Sequence, residues 1–218
     1  MGFTSELWES GAATYERIRV HPFVQGLTSG DLDRAAFRHY IAQDSHYLRE
    51  YARALNVVAA KAPTPEGTAL FGEHATNANA VERALHAGFL DELGGVDQPA
   101  SPTTVAYTNF LLATAHTGSF AEGLAAVLPC YWIYARVGAD LVDRSSPDPL
   151  YARWIATYGG DGFQKIVDDV LTVTDRHAEG LGPAERAAML HHYATAARYE
   201  WMFWDAAHRR ETWPIPLA

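Results

Sequence analysis

The chain has 218 residues, 48% of them apolar and 20% charged, with a formal net charge of −9. That length and balance are ordinary for a soluble globular protein and fit one domain spanning residues 1–218, with a sizeable core. Lysine is confined to Lys61 and Lys165, no Lys/Arg cluster could track phosphates, and an acidic chain is repelled by nucleic acid and anionic lipid; both are excluded as partners.

Met1 to Leu7 has no basic region before an apolar run, so no secretory signal is expected. Helical periodicity dominates, and β-branched residues in strict alternation are missing. A first helix is predicted over Thr4–Arg19, ending before His21-Pro22. Asp31 is the expected cap of a long second helix reaching Ala60, whose apolar positions Phe37, Tyr40, Ile41, Tyr47, Leu48, Tyr51, Leu55 and Val58 keep three- and four-residue spacing. Ala62-Pro63-Thr64-Pro65 breaks the chain, and Thr64-Pro65-Glu66 opens a third helix to about Leu93, ended by Gly94-Gly95. Ser101-Pro102 starts a fourth through about His116. A fifth, from Phe120 to about Arg144, is apolar nearly all round, the mark of a central buried helix. Pro129 inside it removes one backbone hydrogen bond, and a bend just before Cys130 is expected. Pro147–Thr157 and Asp161–Glu179 read as two shorter helices around Tyr158-Gly159-Gly160, and Pro183 to about Arg209 as the last. The longest apolar stretch, Leu124–Ala135, is too short to span a bilayer. The expectation is an all-α, single-domain helical bundle.

Cys130 is the only cysteine. A lone thiol cannot form an internal disulfide, fits a reducing, cytoplasmic compartment, and is either inert packing or a reactive sulfur. Two carboxylates bear on that choice. Asp44 lies between Tyr40 and Tyr47 where the spacing calls for an apolar residue, and Glu200 interrupts the stripe Tyr193, Ala196, Ala197, Phe203, Trp204, Ala207 in the same way. A buried carboxylate costs several kcal/mol unless it is paired, hydrogen-bonded or protonated. Each acid alone could belong to a structural network with tyrosines; two acids and a thiol on three helices sharing one core point to a pocket. Tyr47 follows Asp44 by three positions and Tyr134 follows Cys130 by four, so each pair shares a helix face. Tyrosines offer flat surfaces for a heteroaromatic ring and hydroxyls to orient it.

Metal ligation is the weaker reading. Glu73-His74, Glu82 and His86 share a helix, yet no second helix supplies the matching Glu-x-x-His of di-iron bundles, and Asp205-x-x-His208 falls on a polar face; surface or structural roles are expected for these. Phosphate-loop, dinucleotide, zinc-protease and nucleophile-elbow motifs are absent.

His21-Pro22-Phe23-Val24-Gln25-Gly26-Leu27, Tyr40 to Leu48, Phe120 to Trp132, Tyr158-Gly159-Gly160-Asp161 and Tyr199 to Trp204 together resemble the thiaminase II (TenA) family, in order along nearly the whole chain. The resemblance implies a haem-oxygenase-like fold, a homotetramer, no metal or organic cofactor, and an aminopyrimidine aminohydrolase of thiamin salvage acting on 4-amino-5-aminomethyl-2-methylpyrimidine and, in many members, on thiamin. It places the chain in the branch with cysteine in Leu128-Pro129-Cys130. Position by position, it implies that Cys130 adds to the pyrimidine ring, Glu200 protonates a ring nitrogen and Tyr47 hydrogen-bonds near the sulfur. Asp44 would hold the aminopyrimidine edge, with Tyr134, Tyr158 and Tyr107 in contact with substrate. His46 and Ala135 stand where the family often has aromatic residues. A metal-dependent oxidase on this fold and a non-catalytic pyrimidine-binding protein are the competing readings.

Overall fold

The computed structural model describes residues 2–85, 88, 89, 92–94 and 98–215. Within them the chain forms α1 (Phe3–Arg19), α2 (Pro22–Ser29), α3 (Arg34–Lys61), α4 (Pro65–Leu85), α5 (Pro102–Thr117), α6 (Phe120–Val142), α7 (Pro149–Gly159), α8 (Asp161–Ala178) and α9 (Pro183–Arg209). The expected all-α bundle is what forms, with no strand among the described residues.

Two expectations near the start need correction. The segment after His21 is itself a helix, α2, which the sequence reading passed over. His21 caps it, its Nδ1 accepting from the Phe23 amide at 3.2 Å, and Pro22 sits in the first turn. Gly30 closes α2 at φ +79°, a conformation costly for a residue with a Cβ. The cap of α3 is Asp33, whose Oδ1 accepts from the Ala35 amide at 2.9 Å, and Asp31 precedes it in the link. The predicted continuation of α4 toward Leu93 crosses residues 86, 87, 90 and 91, which lie outside the described residues.

The other starts follow local chemistry. Ser119 and Glu122 form a reciprocal capping box at α6: the Glu122 carboxylate accepts from the Ser119 amide at 2.7 Å and the Ser119 hydroxyl from the Glu122 amide at 3.3 Å. Asp148 caps α7 through the Leu150 amide at 2.9 Å.

α6 is the axis of the bundle. It runs continuously through Pro129, and buried residues occur all round it. It packs against α9, α7, α5, α8 and α3, while α3 lies along α4 and α5. All eight apolar positions foreseen on α3 are buried, as are the six on α9. Burying such stripes is the dominant favourable contribution to folding, at roughly 25 cal/mol per Å² of apolar surface.

Candidate active site

Asp44 and Glu200 are both buried, 3% and 1% exposed, so the two interruptions of the apolar stripes do point inward. Asp44, Tyr47 and Tyr51 of α3, Cys130, Tyr131 and Tyr134 of α6, Tyr158 of α7 and His74 of α4 line one cavity of about 140 Å³. Leu48, Leu55, Phe163 and Ile166 make its walls largely apolar. Cys130 is half-buried and lines this space. Four helices therefore bring a thiol, an acid, an imidazole and five phenols around one hole.

Glu200 and Tyr107 are outside this lining and stand one layer behind it. The Tyr107 hydroxyl donates to Glu200 Oε1 at 2.6 Å, and the Tyr107 ring packs on Tyr47 at 5.1 Å between centroids. Glu200 is nevertheless close enough for its charge to act on Cys130, and Asp44 acts on both. On the opposite side, the Tyr40 and Tyr134 hydroxyls meet at 3.1 Å, and Tyr134 packs on Tyr158 at 4.9 Å.

The position of Tyr158 depends on a close backbone approach. A methyl group on Gly138 of α6 would overlap the Tyr158 carbonyl, and one on Gly159 would lie 2.9 Å from the Gly138 carbonyl oxygen. Two residues without side chains let α6 and the end of α7 touch there.

Adjacent polar residues on α3 have contrasting environments. Gln43 is engaged at both ends: its amide donates to the Pro99 carbonyl at 3.1 Å, and its oxygen accepts from the Ser101 amide at 2.8 Å and the Thr104 hydroxyl at 2.9 Å. Asp44 Oδ2 and the Tyr47 hydroxyl, by contrast, are buried without a hydrogen-bond partner among the described residues. Buried polar atoms in that state are uncommon and costly, about 1–3 kcal/mol each.

Burial also decides protonation. Loss of solvation pushes the Asp44 carboxyl up to about 7. It lifts Glu200 to about 8 against the Tyr107 hydrogen bond, with the Asp44 charge adding to the rise. The Cys130 thiol is driven well above its ordinary value by burial first and the Glu200 charge second, while the Tyr47 and Tyr51 hydroxyls pull it back. At neutral pH the resting site is a thiol, a largely protonated Glu200 and an Asp44 near its midpoint. Such a set can donate and accept protons without holding a full buried charge.

Of the residues singled out from sequence, Asp44, Tyr47, Cys130, Tyr134 and Tyr158 share the cavity, and Tyr107 and Glu200 back it. Sequence reasoning missed His74, assigning it a surface or structural role; it is 8% exposed, lines the cavity, and its Nδ1 lies 3.0 Å from the Tyr131 hydroxyl. Tyr51 stood in the apolar stripe and Tyr131 in the motif around the cysteine, but neither was read as a site residue. The Glu82 side chain and His86, its possible metal partners, lie outside the described residues. Asp205 pairs instead with Arg209 at 2.8 Å. Among the described residues no three His, Cys, Asp or Glu side chains converge as a metal would need.

This is a haem-oxygenase-like helical protein with an interior thiol–carboxylate cavity. The fold is shared with a heme oxygenase-like domain from Shewanella denitrificans, which superposes with a TM-score of 0.72 at 14% identity over 95% of this chain and 92% of that one. A TenA homologue from P. horikoshii superposes with a TM-score of 0.88 at 29% identity, over 96% of this chain and 99% of that chain. Residues 9–210 match the TENA/THI-4/PQQC family, and the chain belongs to it. Similar relatives include the aminopyrimidine aminohydrolases of Bacillus subtilis, 37% identical over 98% of this chain and 92% of that protein, and of Halalkalibacterium halodurans, 34% identical over 98% of each.

Proposed function

We propose that the protein is an aminopyrimidine aminohydrolase (thiaminase II) of the cysteine-containing branch, acting in thiamin salvage. It converts 4-amino-5-aminomethyl-2-methylpyrimidine and water to the 5-hydroxymethyl compound and ammonia, and it also cleaves thiamin to hydroxymethylpyrimidine and thiazole. The observation that carries this reading is the pair of buried, unpartnered atoms, Asp44 Oδ2 and the Tyr47 hydroxyl, in a tyrosine-walled cavity that also holds Cys130. An aminopyrimidine edge offers the N–H donor that Asp44 Oδ2 lacks, while the Tyr47 hydroxyl is left to donate to the sulfur. The named activity of relatives matching nearly the full chain supports the same reading.

The proposed chemistry follows from the protonation states. Cys130 adds its sulfur to a ring carbon while Glu200 delivers a proton to a ring nitrogen, so aromaticity is broken without an uncompensated charge. The thiol's own proton passes to Asp44 as the sulfur bond forms. The activated ring then expels ammonia from the exocyclic carbon, the amine leaving on the proton held by Asp44; water adds its hydroxyl there and gives a proton back to Asp44, and release of the sulfur restores the ring, with the ring-nitrogen proton returning to Glu200 and the Asp44 proton to the thiol. Tyr47 stabilises the sulfur as it gains or loses charge. Tyr134 and Tyr158, packed on one another, contact the ring from one side, and Tyr107 holds Glu200.

Water is the only co-reactant in this scheme, and no metal or organic cofactor takes part. We further propose that the chain is one domain acting in the cytoplasm as a homotetramer. The test is direct: purified protein is given the aminomethylpyrimidine and, separately, thiamin. Wild type should release the hydroxymethyl product from each, and Cys130→Ala should bind the pyrimidine without turnover. A fully active Cys130→Ala would remove the sulfur from the mechanism.

A further inference from the structure

We propose that His74 is a positioning residue for the Cys130 sulfur, acting at the far end of a hydroxyl chain through Tyr131 and Tyr51. The proposal rests on Cys130 being the reacting group under the function proposed above.

His74, Tyr131, Tyr51 and Cys130 all line the one cavity. His74 Nδ1 is 3.0 Å from the Tyr131 hydroxyl, a contact buried from solvent. The rings of His74 and Tyr131 lie 5.5 Å apart and those of Tyr51 and Tyr131 5.8 Å. The Tyr51 hydroxyl neighbours both the Tyr131 hydroxyl and the sulfur. It donates to the Val127 carbonyl at 3.0 Å, one turn before Cys130 on α6.

A hydroxyl has one proton to give, and in the proposed row each is used once. With Tyr51 donating to Val127, its oxygen is left to accept from Tyr131. Tyr131, having spent its proton on Tyr51, must accept at the His74 contact. The row so directed requires the His74 proton on Nδ1. Each donor in such a row is polarised by the one behind it. When sulfur becomes negative, the Tyr51 hydroxyl turns from the Val127 carbonyl to Sγ, and the row then ends on the thiolate. No proton is transferred along it; His74 sets its polarity.

The charged and titratable groups that bear on His74 are Glu73 on its own helix, Asp169 of α8 and Tyr131 of α6. Burial holds the imidazole below its ordinary value, so it is neutral at neutral and alkaline pH. Its influence is that of a fixed N–H donor rather than of a charge.

The experiment reads the sulfur itself. The rate of Cys130 alkylation by iodoacetamide is measured against pH in wild type, His74→Leu, His74→Asn, Tyr131→Phe and the double variant His74→Leu/Tyr131→Phe. Asparagine places an amide N–H where Nδ1 was, and leucine does not. His74→Leu should slow alkylation at fixed pH by about threefold to tenfold and displace the profile to higher pH, the loss of support for one charged acceptor. Asparagine should restore most of the rate. The double variant should be no slower than Tyr131→Phe alone, because either change cuts the same chain.

An unchanged profile in His74→Leu, or losses that multiply in the double variant, would overturn the proposal. Should His74→Leu fail to fold, the asparagine and Tyr131→Phe variants decide the matter alone. Asparagine must then match wild type while Tyr131→Phe is slowed, and equal rates in the two would overturn it. Alkylation needs no turnover, so an intact His74 effect in a protein that does not hydrolyse aminopyrimidine would sink the proposed function and leave the positioning role standing.

Discussion

Removing the Tyr107 hydroxyl tests the assignment of Glu200 as the acid. The phenol donates to Glu200 Oε1 at 2.6 Å with both groups buried, and it opposes the burial that lifts the carboxyl to about 8. Tyr107→Phe keeps the ring stacked on Tyr199 at 5.2 Å and against Tyr47, so packing changes little. It deletes one donor to a carboxylate, worth about 1.5–3 kcal/mol. At 1.36 kcal/mol per unit, that is a rise of about one to two units, nearer one because the protonated acid also loses a partner. Glu200 must be protonated to donate, so kcat/KM in wild type should fall as pH rises through about 8. In the variant the alkaline limb should move to higher pH by about one unit, with activity below it reduced far less. An alkaline limb that stays put, or moves to lower pH, would refute Glu200 as the donor or Tyr107 as its partner.

Asp44 gives a stability prediction with a definite sign. Its folded-state value, about 7, lies above the ordinary 3.8, so the folded protein holds a proton that the unfolded chain has released. That contribution is complete below the ordinary value and is lost as pH rises toward 7, by up to about 1.4 kcal/mol per pH unit. Denaturant unfolding should therefore show wild type weaker at pH 8 than at pH 5, with Asp44→Asn less pH-dependent and binding the pyrimidine poorly; an identical pH dependence in the two proteins would contradict this. Gly138→Ala should cost about 1–3 kcal/mol by overpacking and raise KM through displaced Tyr158, measured by thermal melting and steady-state kinetics. A Gly138→Ala protein with wild-type stability and KM would show that the close approach does not position Tyr158.

What the sequence disclosed and what it concealed divide along a physical line. Asp44 and Glu200 were legible because a helix repeats every 3.6 residues, and a carboxylate inside an apolar stripe breaks that repeat visibly. Both are buried as expected. Helix α2 was hidden because eight residues carry little periodicity and its cap is a histidine, a residue type not prominent at helix starts. Asp31 and Asp33 are equally good caps by composition; only the backbone at residue 33 selects the second. His74 was hidden for another reason: its neighbours on α4 gave a metal-like spacing, whereas its partner, Tyr131, is 57 residues away on another helix. The contrast between Gln43 and Asp44 is the hardest to foresee. Both are polar and buried on α3, and which one is left with an open valence depends on where residues 99, 101 and 104 come to rest.

That contrast also explains why one buried environment can serve both binding and chemistry. A cavity walled by tyrosine and aliphatic side chains penalises every charge placed in it, so Asp44, Glu200 and Cys130 are all shifted toward their protonated forms. A raised thiol alone would be a poor nucleophile. Beside a protonated Glu200 and an Asp44 near its midpoint, the same shift becomes useful, because sulfur addition and ring protonation can proceed together with net charge unchanged. Under the proposed function a flat pyrimidine ring would enter such a site at little desolvation cost, and its N–H edge would meet the Asp44 oxygen that the fold leaves without a partner. Tyr107, which tempers Glu200, and His74, which acts on the sulfur through Tyr131, then adjust the two ends of one proton inventory from outside the ring's own contacts.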